Sequence, residues 1–155
     1  MEYFVTNRDV IRNFSINTGT SQVPVYTKMC TSSELALNTD FTTQDFFVFC
    51  DAIQRSLKTG VAFTLEGTVK IDMNNAAVTK VLGDIHTLIT SGTISQFNNQ
   101  KVKFDLLTGV SSGVLTYTTY IADVSYSLES LGGAAEDVGE FAISMVINGT
   151  ATVSA

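Results

Sequence analysis

Between Val61 and Met73 the chain alternates without a slip. Val61, Phe63, Leu65, Val69, Ile71 and Met73 fall on one side, and Ala62, Thr64, Glu66, Thr68, Lys70 and Asp72 on the other. A period of two marks a β-strand, in which successive side chains point to opposite faces. Thirteen residues at roughly 3.3 Å each reach about 43 Å, whereas a compact domain of this length is only about 39 Å across. A strand as long as its own domain, apolar on one side and threonine-rich and charged on the other, suits a wall shared by several subunits.

Composition sharpens that expectation. Only 15% of the residues are Asp, Glu, Lys or Arg, against about 25% in ordinary globular proteins, while 21 Thr and 14 Ser supply much of the polar surface. Protein interfaces are depleted in Lys, Glu and Asp, so a polar but charge-poor chain fits an obligate assembly. A chain of 155 residues is read as a single domain spanning 1–155, large enough to bury about 70% of its unfolded surface without a disulfide or a metal. The net charge is -6 with nine basic residues. Tight binding to DNA rests on Lys and Arg displacing counterions from phosphates, so this balance predicts weak repulsion of nucleic acid and fits a surface that DNA slides past.

Cys30 and Cys50 stand far apart, and His86 is the sole histidine. No zinc-binding pattern arises, no cofactor is expected, and both cysteines are read as buried thiols. Glu2, Arg8 and Asp9 interrupt the N-terminus, which lacks the apolar core of a signal peptide. No apolar run has the length of a membrane helix, and no membrane partner is expected. The chain is read as a soluble protein of a reducing compartment.

After the long strand, Asn74 and Asn75 offer helix-capping oxygens. Val78, Val81, Leu82, Ile85, Leu88 and Ile89 follow at three- and four-residue steps until Gly92. That spacing predicts a helix over about 75–91 with these six side chains on a sheet and Thr79, Lys80, Asp84, His86 and Thr87 on its other side. Elsewhere the signals are β: Val102, Phe104 and Leu106; then Ala122, Val124, Tyr126 and Leu128; then Phe141, Ile143, Met145 and Ile147. A phase change between Leu115 and Ile121 points to a bulge or bend in one long strand. Gly67, on the apolar side of the first strand, marks a bulge or a close approach. The fold class is therefore mainly β, with a flanking helix.

Two stretches fit this pattern less well. Thr31 to Asp45, TSSELALNTDFTTQD, is polar and long for a connection, and is read as a loop that binds or interlocks. Phe46 to Leu57 places Phe46, Cys50, Ile53 and Leu57 at helical spacing, but it is read as a short strand followed by a turn. The loop SLGGAAEDVGE, Ser130 to Glu140, lacks the alternating oxygen ligands of a calcium site and is read as a solvated or partner-facing turn.

Catalytic chemistry is sparse. His86 sits within the expected helix, away from any nucleophile turn, and no phosphate-binding glycine motif occurs. A glycosidase pair would have to come from Glu66, Asp72 or Asp105, in a chain without a single tryptophan to stack on a sugar. The chain is read as not an enzyme.

The segments MCTSSELALNTDF (Met29 to Phe41), FFVFCDAIQR (Phe46 to Arg55), FTLEGTVKIDMNNAAV (Phe63 to Val78), ISQFNN (Ile94 to Asn99) and SLGGAAEDVGEF (Ser130 to Phe141) resemble the major tail tube proteins of long, non-contractile-tailed bacteriophages. The resemblance implies two packed antiparallel sheets, sandwich- or barrel-like, with a flanking helix. It implies hexameric rings stacking into a hollow tube in the virion tail, assembled in the host cytoplasm. The implied partners are further copies, a tape-measure protein and tail terminator and initiator proteins, with DNA passing unbound. An immunoglobulin-like C-terminal extension, carried by some relatives, is not expected here. The long loop of that family, which reaches neighbouring subunits, falls on Ser33, Glu34, Leu35, Leu37, Asn38, Asp40 and Phe41. Glu66, Asp72, Asp105 and Lys70 are the candidates for facing the lumen. The alternative function is a monomeric β-sandwich module binding a glycan or host surface, with Thr31 to Asp45 as its recognition loop.

Overall fold

The computed structural model describes residues 2–154. The strands are β1 (Ile11–Asn17), β2 (Tyr26–Lys28), β3 (Ser32–Val48), β4 (Asp51–Lys70), β5 (Gln100–Ser111), β6 (Val114–Leu131), β7 (Glu140–Ile147) and β8 (Thr152–Val153). Two helices, α1 (Ala76–Ser91) and α2 (Ser95–Asn98), lie between β4 and β5.

All the strands join one antiparallel sheet in the order β2-β1-β5-β6-β7-β4-β3, with β8 on β6. The two sheets expected from the sequence are thus two halves of a continuous one, and β6 is their shared member. Its first part pairs with β5 from Val114 to Val124, and its second part pairs with β7 from Val124 to Leu131. The long strand expected across Leu115 to Ile121 is present. The extra residue there is Thr108 on the partner strand β5, opposite the step from Thr116 to Tyr117.

The apolar sets read from the alternation form the core. Leu65, Val69, Val102, Phe104, Val124, Phe141, Ile143 and Met145 are buried together with Phe14 and Ile16 of β1. Gly67 serves close packing. It pairs with Leu35 and Ile143, and a Cβ there would stand 3.0 Å from the Glu34 carbonyl oxygen and 3.3 Å from Leu35.

Helix α1 starts and stops as its sequence dictates. The Asn75 side chain accepts from the Ala77 N–H at 2.9 Å and donates to the Lys28 carbonyl at 2.9 Å, tying the helix start to β2. Gly92, in the left-handed region at φ 69°, closes the other end with its N–H on the Leu88 carbonyl. The buried stripe is rotated from the expected one. Ala77, Val78 and Val81 are buried and Leu82 packs on the core. Ile85 and Leu88 are half-buried, and Ile89 is 78% exposed. Ile89 lies eight residues beyond Val81, about 80° round the helix, so it leaves the stripe that runs Ala77, Val81, Asp84.

Lys80 and Asp84 correspondingly face the sheet rather than solvent. Lys80 donates to Asp84 at 3.0 Å and to the Gln100 side-chain oxygen at 2.8 Å, and the Tyr126 hydroxyl donates to Asp84. Burial, and then the bonded Asp84 carboxylate, push the Tyr126 phenol far above its usual range. Helix α2, not foreseen, sets Phe97 against the Tyr126 ring at 4.8 Å.

Three further expectations are corrected. Thr31 to Asp45 is not a loop: Ser32–Val48 is one strand, paired with β4 along its length. The strand read as Val61 to Met73 is longer and earlier, Asp51–Lys70. Asp72 and Met73 lie beyond it in the turn before α1, where Asp72 accepts from the Asn74 N–H at 3.0 Å. Cys30 and Cys50 are exposed rather than buried, because both fall in turns at the two ends of β3.

Candidate assembly surfaces

Strand β4 contacts β7 only from Thr64 to Lys70, yet it pairs with β3 from Val69 out to Asp51. The outer part, from Phe63 to Asp51, is therefore a free two-stranded ribbon that runs roughly 40 Å past the sheet. Every described side chain from Asn38 to Ala62 is exposed. Among them are Phe41, Phe46, Phe47, Val48, Phe49, Ile53, Leu57 and Val61. An isolated two-stranded ribbon is marginal in water, and a large exposed apolar patch on a soluble protein signals an interaction site.

The total area makes the same point. The chain exposes 10074 Å² of solvent-accessible surface. A compact monomer of its 16.7 kDa mass exposes about 7,600 Å². The excess of about 2,500 Å² equals roughly three partner faces of a standard protein interface. Strand β3 also ends the sheet order, leaving one edge of its 17 residues free to pair with another chain.

The loop candidates divide along this strand. Leu35 and Leu37 are half-buried and pack against the chain's own core. Ser33, Glu34, Asn38, Asp40 and Phe41 are exposed. The aromatic tip was missed by sequence reasoning.

A second surface is the sheet face opposite the core. Register aligns its side chains in rows across β3, β4, β7 and β6. They are Glu34, Thr68, Ala142, Ser130; then Ala36, Glu66, Ser144, Ser127; then Asn38, Thr64, Val146, Ser125. These rows hold two carboxylates, no cation and no aromatic ring. Glu66 is exposed.

The other lumen candidates do not join it as free charges. Lys70 and Glu140 pair with each other at its margin. Asp72 lies off the strand. Asp105 sits on the other half of the sheet, where it accepts from Asn13 at 2.7 Å and Thr119 at 2.6 Å beside Arg12 at 3.8 Å. Burial works against the Asp105 charge, but those two donors and the charges of Arg12 and Lys103 hold its carboxyl below the usual range. Through Asn13, which has φ 55° at the bulge of β1, it ties that bulge to β5.

No group of metal-ligating side chains and no membrane-spanning helix occurs among the described residues. No protein-family profile and no curated protein matches the sequence. Solved structures do match by fold. The tail of an empty gene transfer agent particle with C6 symmetry matches with a TM-score of 0.60 at 8% identity, covering 98% of this chain and 100% of that one. The SPP1 tail tube matches with a TM-score of 0.58 at 17% identity, covering 97% and 80%. The sheath–tube complex of an extracellular contractile injection system matches with a TM-score of 0.55 at 12% identity, covering 99% and 93%. The fold is that of tail tubes, as the resemblance in the sequence implied.

Proposed function

We propose that this chain is a structural subunit of a phage-type tail tube, acting by self-assembly and not by catalysis. Six copies close into a ring, and rings stack into a hollow tube in the virion tail, built in the host cytoplasm. The observation that carries the reading is the bare ribbon from Asn38 to Ala62, with its aromatic tip and free β3 edge. Such a surface is soluble and stable once other copies cover it. The fold shared with tail tubes, one of them with C6 symmetry, supports the same reading.

In the ring, the free edge of β3 takes up the opposite edge of the next subunit's sheet, β2 with the adjoining stretch of β1, so that the sheets close into one barrel without open edges. The polar rows around Glu34 and Glu66 line its bore. Small hydroxyl side chains offer DNA no stacking platform, and the carboxylates repel phosphate. A tape-measure protein fills the bore first, and terminator and initiator proteins cap its ends.

Negative-stain electron microscopy of the purified protein, seeded with tail initiator complex, tests the reading by its six-fold rings and tubes. A monomer that stays monomeric at high concentration with the seed present contradicts it. The double substitution Glu34→Lys with Glu66→Lys is expected to leave tubes intact and lower infectivity; unchanged infectivity removes the bore assignment.

A further inference from the structure

The ribbon differs from root to tip. Phe41 and Val61 are paired directly opposite each other, on the face that continues the core side of the sheet past Leu37 and Leu65. In a regular strand Leu57, four residues from Val61, would share that face. It does not, because β4 carries an extra residue. Thr42 pairs with Gly60 but Thr43 pairs with Lys58, leaving Thr59 unopposed. One inserted residue turns every later side chain of β4 to the other side, while β3 keeps its own alternation and Phe46, five residues from Phe41, already lies opposite to it. The Lys58 ammonium accordingly stands 5.3 Å from the Phe41 ring, on the root face. Leu57, opposite Gln44, and Phe46, opposite Arg55, point the other way.

The ribbon thus has two apolar patches on opposite faces. Both are uncovered: Phe41 is 49% and Val61 47% exposed, Phe46 39% and Leu57 56%. A partner seated on one face of a pleated ribbon cannot reach the other. The root patch lies nearer the body of the sheet, where the next subunit of a ring adds its own, and the tip patch lies five residues further out along β3, next to the turn. The excess exposed area is enough for several separate contacts.

We infer that one ribbon is held by two different copies of this chain. The ring neighbour covers the Phe41–Val61 face, and a copy in the adjacent ring covers the Phe46–Leu57 face, with the Thr59 bulge as the device that serves both. The inference rests on the tube reading and assigns the partners within it.

Three variants test it: F41S/V61S, F46S/L57S and insertion of one serine between Thr42 and Thr43, each examined by sedimentation velocity and negative-stain microscopy. All three alter exposed positions, and circular-dichroism melts confirm that the subunit still folds. The tip pair is expected to form rings at wild-type concentrations while tube mass falls at least ten-fold. The root pair is expected to remain monomeric at those concentrations. The added serine stands opposite Thr59 and removes the mismatch, which turns Phe46 and Leu57 together to the root face, and it is expected to give rings without tubes. Arrest of both pairs at one stage, arrest in the reverse order, or wild-type tubes from any of the three overturns the two-copy assignment. A wild-type protein that never assembles overturns the tube reading itself, which separates the two failures.

Discussion

The chain contains two long hairpins, and they are built on opposite terms. The β5–β6 hairpin turns at Ser112 and Gly113, with φ 52° and 78°, the left-handed pair that matches the twist of its strands. Its outer part is held by its own chain. The Tyr117 hydroxyl donates to the Asp9 carbonyl at 2.7 Å, the Arg12 guanidinium lies 3.5 Å from the Tyr117 ring centre, and the Tyr3 hydroxyl reaches the Gly113 carbonyl at 3.2 Å. The β3–β4 hairpin turns at Phe49 and Cys50, neither with positive φ. Its described side chains stand in solvent from Asn38 to Ala62. The first hairpin is finished within its own chain, and the second is left bare by it.

The sharpest way to break that contrast is to remove the second hairpin's outer part. Replacing residues 43–59 by Asn-Gly is expected to abolish assembly in light scattering while moving the monomer's urea stability by no more than about 0.5 kcal/mol. The turns should respond oppositely. Gly113→Val forces a β-branched side chain into positive φ and should cost about 1–3 kcal/mol in urea unfolding, whereas Phe49→Ser should leave monomer stability unchanged. Tyr117→Phe loses the hydrogen bond to Asp9 and should cost about 1 kcal/mol, with tube yield unaffected.

The smallest effect belongs to Asp105. Its folded carboxyl titrates below the ordinary range, so its contribution is present above that range and is lost as pH falls through the lowered folded value. From roughly pH 4 downward, wild type should lose stability while Asp105→Asn, weaker at neutral pH, stays flat. Parallel pH profiles would remove Asp105 from its role at the β1 bulge.

Where side chains meet only their own chain, the sequence was legible. Leu65 to Val69, Val102 to Phe104 and Phe141 to Ile147 alternate because one side of each is core, and α1 is bounded by a capping Asn75 and a left-handed Gly92. Of the ribbon, only the strand and turn within Phe46 to Leu57 were legible; its extent was not, for three physical reasons. Its turn has no Gly, Asn or Pro to announce it. The Thr59 bulge breaks the period of two in β4. Both faces mix Phe, Thr and Asp because neither is covered by the chain's own core, so Thr31 to Asp45 reads as a polar loop. Within the polar face, Glu66 was readable from alternation alone. Glu34 needed the register across β3 and β4, and Asp72 left the face because β4 stops at Lys70.

Hydrogen exchange over residues 38–62, compared between dilute monomer and assembled protein, tests most directly whether other copies complete this ribbon. Slow exchange throughout the stretch in the assembly, against rapid exchange in the monomer while β5–β6 is equally protected in both, is the predicted result. Equal protection of residues 38–62 in the two states would contradict it.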